Sequence, residues 1–224
     1  MPLENYPRTE LEVLKLQGYD FNQTWEVVDI FEKKIAKYFG APYGIATDSC
    51  THAIELSIRL LNTNALVSIP AHTYMSIPMM LEKIKQSWQF KNVQWEKYYY
   101  LDPLPIIDAA RCWESNVYVP GSLMTTSFQF KKHIPIGRGG IILTDNYEHY
   151  IKLQRMCRDG KDRKLLQQDD DIIEVGYHYY MTPEDAARGI ILFDQLHNNP
   201  HRLWSWQDYK ILTDYNLYKD CLVF

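Results

Sequence analysis

The chain has 224 residues, of which 46% are hydrophobic and 23% charged, so it is long enough for one sizeable core. Its net charge is −4, and its Lys and Arg residues are scattered among acidic stretches, which argues against a nucleic-acid partner. No apolar run approaches the roughly 18 residues of a membrane span, and the N-terminus MPLENYPRTE has no leader-like region. We therefore expect a cytoplasmic protein without a membrane partner.

Cysteine and aromatic usage add two expectations. The four cysteines lie far apart, without the C-x-x-C spacing of a zinc site or redox pair, so we interpret them as reduced and structural and expect no metal site. Aromatic residues make up 14% of the chain. Their rings can fill the core, line a pocket or form a subunit interface.

The first half of the chain alternates predicted helices and strands. Apolar periodicity and turn residues predict a helix over 24–39, a strand over 43–47, a helix from Thr51, a strand over 65–69, a helix through Ile84 and a strand near 90–95. Such alternation is typical of a parallel sheet covered by helices. The expected fold class is α/β, a three-layer α/β/α sandwich with a mostly parallel central sheet.

The second half begins with three short apolar runs, which predict the central strands of that sheet. The predicted elements are strands over 104–108, 123–130 and 140–144, a helix over 148–156, a mobile surface loop over 160–171, and a helix that Thr182 caps and that continues to Leu196. Residues 198–224 show no clean period and predict a short helix or an irregular docked tail. We expect one domain over 1–224.

Polar residues that follow the predicted strands are the first candidates for a site, because parallel α/β sheets bind ligands at the carboxyl ends of their strands. After the first strand, Ser49, Cys50 and Thr51 form a small polar turn that opens a helix, where free amides favour an anion such as phosphate. The alternative is that these residues simply cap the helix. The two interpretations are compatible.

Asp108 ends a wholly apolar strand, so its carboxylate is expensive to bury unless it meets a cation. A protonated pyridine nitrogen would be such a cation. The alternative is a helix cap or a loop anchor. Further along the chain, Lys132 stands in SFQFKKHIPIGRGG, a strand, a turn and a Gly-rich hairpin. A solvated loop lysine is the alternative interpretation for this residue.

This segment resembles the pattern of the DegT/DnrJ family of sugar aminotransferases, which depend on pyridoxal 5'-phosphate (PLP). In that family Ser-Phe, three variable residues, the Schiff-base Lys and Gly-x-Gly-Gly follow one another at these spacings. The resemblance implies that Lys132 forms an internal aldimine with PLP and that Ser127 contacts its phosphate. Lys131 falls on a variable position.

Four other segments extend the resemblance, and it implies a role for a residue in each. Asp108, in Asp-Ala-Ala, would pair with the pyridine nitrogen and keep PLP an electron sink. Tyr74, in Pro-x-x-Thr-aromatic, would stack on the cofactor. The turn of Ser49, Cys50 and Thr51 would bind phosphate, and the segment with His178 would reach the site of the partner subunit. A homodimer is expected.

The chain departs from the family pattern at several positions. The small Gly of the phosphate turn is Cys50, the Gln after the pyridine Asp is Arg111, and the acid of the glycine motif is Arg138. Arg111 could still contact the PLP ring oxygen, although a guanidinium cannot accept a hydrogen bond. His178 and Tyr180 replace Asn and Arg, which puts the phosphate contact across the dimer in doubt.

The resemblance covers residues 25–196. It implies a shortened family member, with a tail over 197–224 in place of the C-terminal small domain. The expected function is transfer of an amino group from an amino acid, glutamate being the expected donor, to a nucleotide-linked keto sugar. Two alternatives stay open: a binding or assembly subunit without turnover, and sugar dehydration. The second is disfavoured because relatives specialised in deoxygenation carry His at the position of Lys132.

Overall fold

The structure is a computed structural model that describes residues 8–224. Its elements, in chain order, are α1 (Thr9–Leu16), α2 (Glu26–Phe39), β1 (Tyr43–Thr47), α3 (Cys50–Leu61), β2 (Val67–Pro70), α4 (Ser76–Lys83), β3 (Trp88–Lys91), β4 (Tyr99–Tyr100), β5 (Ile106–Asp108), β6 (Leu123–Ser127), β7 (Gly140–Thr144), α5 (Tyr147–Cys157) and α6 (Pro183–Leu196). The expectation of no leader peptide rests partly on residues 1–7, which lie outside the described residues. Within 8–224, no helix is both long and apolar enough to cross a membrane.

The main sheet has five strands in the order β1-β7-β6-β5-β4, and β2 and β3 form a separate parallel pair. In the main sheet only β5 and β6 are parallel, whereas β1–β7, β6–β7 and β4–β5 are antiparallel. The α/β class is confirmed, but the sheet is mostly antiparallel rather than parallel. For two of the antiparallel pairs the physical reason is the connection, because β4 to β5 is joined by a short turn over 101–105 and β6 to β7 by a hairpin over 128–139, whereas the parallel neighbours β5 and β6 are joined by a longer crossover over 109–122.

The main sheet separates two hydrophobic clusters, and alternate strand residues enter each one, as the pleat requires. Ala46, Ile107 and Met124 pack with α2 and α6 on one face. Ile45 and Ile106 pack with helices α3 to α5 on the other. The predicted three-layer α/β/α sandwich is therefore confirmed.

Several element boundaries differ from the sequence prediction. The helix α1 and the two-residue strand β4 were not predicted. The strand expected over 123–130 ends at Ser127, because the chain turns there and Gln129 pairs with Gly137 across the hairpin. The predicted end of α2 is confirmed, since Gly40 adopts the left-handed conformation with φ 80°.

The segment over 160–171 was predicted as a mobile surface loop, and part of it is anchored instead. The Arg163 guanidinium lies 2.6 Å from Asp29 and 2.8 Å from Glu32, and its side chain is only 10% exposed. Asp170 accepts a hydrogen bond of 2.6 Å from the backbone of Asp162. The Arg163 contacts tie the segment to α2, and the hydrogen bond of Asp170 closes the segment on itself.

Residues 198–224 form an irregular tail that docks beside the parallel pair of β2 and β3. This is the second of the two predicted alternatives, the irregular docked tail. The Phe224 N–H donates to the Phe90 carbonyl at 3.1 Å. Closer to the main sheet, the Trp206 N–H donates to the Trp95 carbonyl at 3.0 Å. The tail therefore lies against β3 and against the segment that leads into β4.

Candidate functional site

A cavity of about 270 Å³ lies where β5 and β6 end and α3 begins. Of the nine residues that the sequence predicts for the site, eight line this cavity: Ser49, Cys50, Thr51, Tyr74, Asp108, Arg111, Ser127 and Lys132. They come from segments that are far apart in the chain. The fold therefore brings together in one cavity almost every residue that the motifs singled out.

Asp108 forms the floor of the cavity and is 6% exposed. Its Oδ2 accepts a 2.6 Å hydrogen bond from the Tyr99 hydroxyl, and its Oδ1 accepts a 2.9 Å bond from the Ala110 N–H. Burial raises the pKa of the carboxyl, while these two donors favour its charged form. The second contact is the local anchor of the alternative interpretation, and the pairing of Asp108 with a pyridine nitrogen stays a prediction.

Tyr99 orients the Asp108 carboxylate and was missed by the sequence analysis. Its hydroxyl also lies 2.5 Å from the Thr73 Oγ1. Burial beside the carboxylate holds the pKa of this phenol well above its ordinary value, so it stays protonated and donates. A fixed donor on one oxygen limits how the carboxylate can turn towards a ligand.

Lys132 enters the cavity from the turn between β6 and β7. Its backbone N–H donates to the Gln129 carbonyl at 2.8 Å, which holds the turn. Burial, and then the nearby Arg111 cation, lower the pKa of the amine to about 8, and the neighbouring Cys50 and Asp108 side chains offset part of this effect. Its neighbour Lys131 is exposed. Lys132 is thus half-buried and differs in setting from a solvated loop lysine.

The turn before α3 lies directly against the Gly-rich hairpin. Ser49 caps α3, because its Oγ accepts from the His52 N–H at 3.2 Å, and it also lines the cavity. A Cβ on Gly140 would lie 2.5 Å from the backbone nitrogen of Cys50. Only glycine therefore allows the first turn of α3 to approach the hairpin this closely.

The hydroxyls and cation around this turn suit an anion. Thr51 Oγ1 lies 2.8 Å from Ser76 Oγ, and Ser127, which is 9% exposed, lines the same end of the cavity. Arg138 reaches the turn from the hairpin, with its Nη2 2.6 Å from Asp48 Oδ2. The first backbone N–H groups of α3 add donors and a positive dipole end.

Two predicted residues lie at or beyond the rim of the cavity. The Tyr74 side chain lines the cavity and is 58% exposed, so one side of its ring is open. His178 does not line this cavity, because its ring is held by Asp159 at 3.1 Å and lies edge-on to Tyr180 at 4.6 Å between ring centroids. A role for His178 in the site of a partner subunit stays a prediction.

The tail supplies a wall that the sequence did not reveal. Tyr209 lines the cavity, and its hydroxyl accepts a 3.2 Å hydrogen bond from the Arg111 Nε. The Arg111 guanidinium lies 3.6 Å from the centroid of the Trp204 ring. The high aromatic content was the single signal in the sequence for such a wall, but composition does not show which aromatic residues form it.

The donor set of the cavity fits PLP. A buried carboxylate, an amine of lowered pKa and a hydroxyl-rich helix start match a pyridine nitrogen, an aldehyde and a phosphate, respectively. Within residues 8–224, no group of three or more His, Cys, Asp or Glu side chains is placed to hold a metal ion. The residues present therefore suit an organic phosphate cofactor.

Comparisons with known proteins identify relatives of the sequence and of the fold. The uncharacterised protein MJ1066 of Methanocaldococcus jannaschii is 24% identical over 212 residues, covering 71% of this chain and 55% of that protein. AtS13 from Actinomadura melliaura shares the fold with a TM-score of 0.71 at 19% identity, covering 83% of this chain and 63% of its own. The chain thus spans between about half and two thirds of the length of these relatives.

A further solved structure shares the fold. It is a GDP-4-keto-6-deoxymannose-3-dehydratase with a trapped PLP-glutamate geminal diamine, similar with a TM-score of 0.59 at 17% identity over 86% of this chain and 67% of its own. A family-wide comparison matches residues 10–109 and 115–211, which extends beyond the predicted 25–196 and into the tail. Since this match covers most of the chain, the protein belongs to the DegT/DnrJ/EryC1/StrS aminotransferase family.

Proposed function

We propose that the protein is a PLP-dependent aminotransferase that moves an amino group from an amino acid, with glutamate as the expected donor, to a keto sugar attached to a nucleotide. The observation that carries the proposal is one cavity that joins the buried Asp108 carboxylate to the Lys132 amine beside the start of α3. Family membership supports the reaction class. A homodimer in the cytoplasm is part of the same proposal.

PLP, when bound, would supply an electrophilic carbonyl carbon and an electron sink for charge that develops on the substrate carbon. Lys132 is the residue that would hold it covalently, because an amine with a pKa of about 8 is neutral in a substantial fraction of molecules near neutral pH. The same Nζ would accept and return the proton of the substrate carbon. An arginine could not do this, because it stays charged.

Asp108 would hold the ring nitrogen in its protonated form. Its carboxylate is oriented by Tyr99 and the Ala110 N–H, so no rearrangement is needed when the cation arrives. Ser49, Thr51 and Ser127 would bind the phosphate, together with the first amides of α3. Cys50 would form part of the same turn.

Tyr74 and Arg111 would complete the contacts with the ring. Tyr74 stands at the rim with an open face and would stack on the cofactor. Arg111 would donate to the ring oxygen in place of the family's Gln. His178 would contact the cofactor site of the partner subunit.

The test is a visible absorption spectrum of the purified protein with PLP, before and after glutamate. We expect an absorption band of bound cofactor in the wild type that glutamate shifts to shorter wavelength. The substitution Lys132→Ala should abolish the band, whereas the matched control Lys131→Ala, which alters the exposed neighbour, should retain it. A wild type without a band contradicts cofactor binding, and a band that no amino acid shifts contradicts turnover and favours a binding subunit.

A further inference from the structure

A second cavity, of about 230 Å³, lies on the other side of Lys132. It shares Arg111, Ser127, Lys131 and Lys132 with the first cavity, so the two spaces adjoin at the amine. Its far wall is the tail, over residues 200–204. The roles proposed above for the cofactor leave this second space without an occupant.

The second cavity is lined by cationic side chains. Arg111, Lys131, Lys132 and Arg202 all contribute to its lining, and among the described residues no Asp or Glu side chain does. Arg202 is paired with Asp208 of the tail. The contacts of Arg111, in contrast, are with neutral groups, the Trp204 ring and the Tyr209 hydroxyl. A cation without a counter-charge in a small cavity favours an anionic ligand.

The tail fixes the position of Arg111. The guanidinium is stacked on Trp204, and its hydrogen bond within residues 8–224 is made through Nε to Tyr209, which leaves the four N–H donors of its two Nη atoms for the ring oxygen of the cofactor and for a second ligand. Trp204 and Tyr209 are themselves held, since the Trp204 carbonyl accepts from the Lys97 N–H at 2.9 Å and the Tyr209 carbonyl lies 2.8 Å from the His72 Nδ1. Arg111 is therefore a preorganised binding group.

We propose that this second cavity is the subsite for the carboxylate of the amino-acid donor, with Arg111 as its main cation and Trp204 and Tyr209 as positioning residues. The inference rests on the proposed function. The planar fork of a guanidinium matches a carboxylate with two parallel hydrogen bonds. An amino acid carries that carboxylate on the carbon that bears its nitrogen, so the anion site must adjoin the Lys132 amine. The diphosphate of a sugar nucleotide lies a sugar ring away from its reacting carbon.

The probe for this subsite is succinate, a dicarboxylate that has no amino group and cannot react with the cofactor. Its affinity for the PLP-treated protein is measured by ligand-observed NMR titration in the wild type, Arg111→Gln and Arg188→Gln. Gln is the residue that the family pattern carries at position 111, and Arg188 is an exposed arginine on α6. We expect binding at least about tenfold weaker in Arg111→Gln, because a charge-assisted hydrogen bond is lost, and no change in Arg188→Gln.

A second measurement needs no variant. Phenylglyoxal modifies arginine side chains, and peptide mass spectrometry reports the rate at each position. Succinate should slow the modification of Arg111 and leave that of Arg188 unchanged. Equal rates at Arg111 with and without succinate, or equal succinate affinities in wild type and Arg111→Gln, would overturn the subsite.

Inorganic diphosphate is the competing probe. If diphosphate protects Arg111 and succinate does not, the cavity takes a phosphate group and the carboxylate assignment is wrong. The visible spectrum is recorded on the same samples, which separates the two proposals. A cofactor band combined with no effect of succinate on Arg111 overturns the subsite alone, whereas a missing band in the wild type overturns the proposed function.

Discussion

The candidate site has two walls of different character. The inner wall consists of the first turn of α3, the end of β5 and the hairpin from Ser127 to Gly140, and it is buried and hydrogen-bonded around Asp108 and Lys132. The tail wall is residues 200–209, which are partly exposed and carry Trp204 and Tyr209. The inner wall has the groups that suit a cofactor, and the tail wall has groups that suit a substrate anion. Changes in the two walls should therefore separate chemistry from substrate binding.

The largest expected effect is on the inner wall, from Asp108→Asn. An amide cannot hold the ring nitrogen protonated, so we expect transamination to fall by about 10²–10³-fold, in the range of other lost electrostatic partners. Stability should change little. Burial raises the pKa of Asp108 above its unfolded value, so the ionised carboxyl costs stability at neutral pH and the amide removes that cost. The amide can accept only one of the two hydrogen bonds from Tyr99 and Ala110, which offsets the gain.

Single-turnover rates measure the expected loss of transamination, and thermal unfolding without added cofactor measures the expected stability. Asp102→Asn is a suitable control, because Asp102 is a surface carboxylate paired with Lys91 at 3.0 Å. If Asp108→Asn instead lowered the melting temperature sharply and kept its activity, Asp108 would be a structural anchor and the inner wall would lack its proposed role.

Much of the inner wall could be predicted from the sequence, because its residues lie in short motifs at fixed spacing. Ser127, Lys132 and Gly140 are one continuous segment, and Asp108 ends an apolar strand. Tyr99, which donates a hydrogen bond to Asp108, was missed because it is the middle one of three consecutive tyrosines. Nothing in the neighbouring sequence indicates which of the three has a buried partner. The tail wall was missed for a stronger reason, since Arg111 meets Tyr209 across a separation of 98 residues.

The strand pairing shows the same limit. The sequence alternates helices and strands up to β3, and this half led to the expectation of a parallel sheet. From β4 to β7 the chain has apolar runs without helices between them, and such a run is compatible with either direction of pairing. The connections between those strands held the missing information, because the short turn between β4 and β5 and the hairpin between β6 and β7 give antiparallel neighbours, whereas the longer connection between β5 and β6 allows a parallel pair.

An intermediate effect is expected where the two walls meet. The Arg111 cation contributes to lowering the pKa of Lys132 to about 8, so the rate of cofactor attachment should rise with pH and level off above about 8. In Arg111→Gln that cation is absent, the pKa of the amine is higher, and the midpoint of the pH profile should move upward. Stopped-flow absorbance after addition of PLP measures the profile.

The control for this pH profile is Arg138→Gln. Arg138 is a cation of the inner wall that is paired with Asp48, and it does not contribute to the lowered pKa of Lys132. Its midpoint should stay near that of the wild type. Equal midpoints in the wild type and in Arg111→Gln would show that burial alone sets the proton affinity of Lys132. The two walls would then be electrostatically independent.

The smallest expected effect belongs to the tail wall. Tyr209→Phe removes the 3.2 Å hydrogen bond to the Arg111 Nε and leaves the stacking of Arg111 on Trp204. A hydrogen bond from a charged donor to a neutral acceptor contributes about 1.5 kcal/mol, or roughly a tenfold change in affinity. Because this hydrogen bond is partly exposed to solvent, we expect a smaller effect, a few-fold increase in the KM for the amino donor. The kcat and the cofactor band should not change, because the hydrogen bond that the described residues give this hydroxyl is with Arg111 and not with Asp108 or Lys132. Tyr215→Phe, in the same tail, is the matched control, and a lower kcat at unchanged KM in Tyr209→Phe would place Tyr209 with the chemistry of the inner wall.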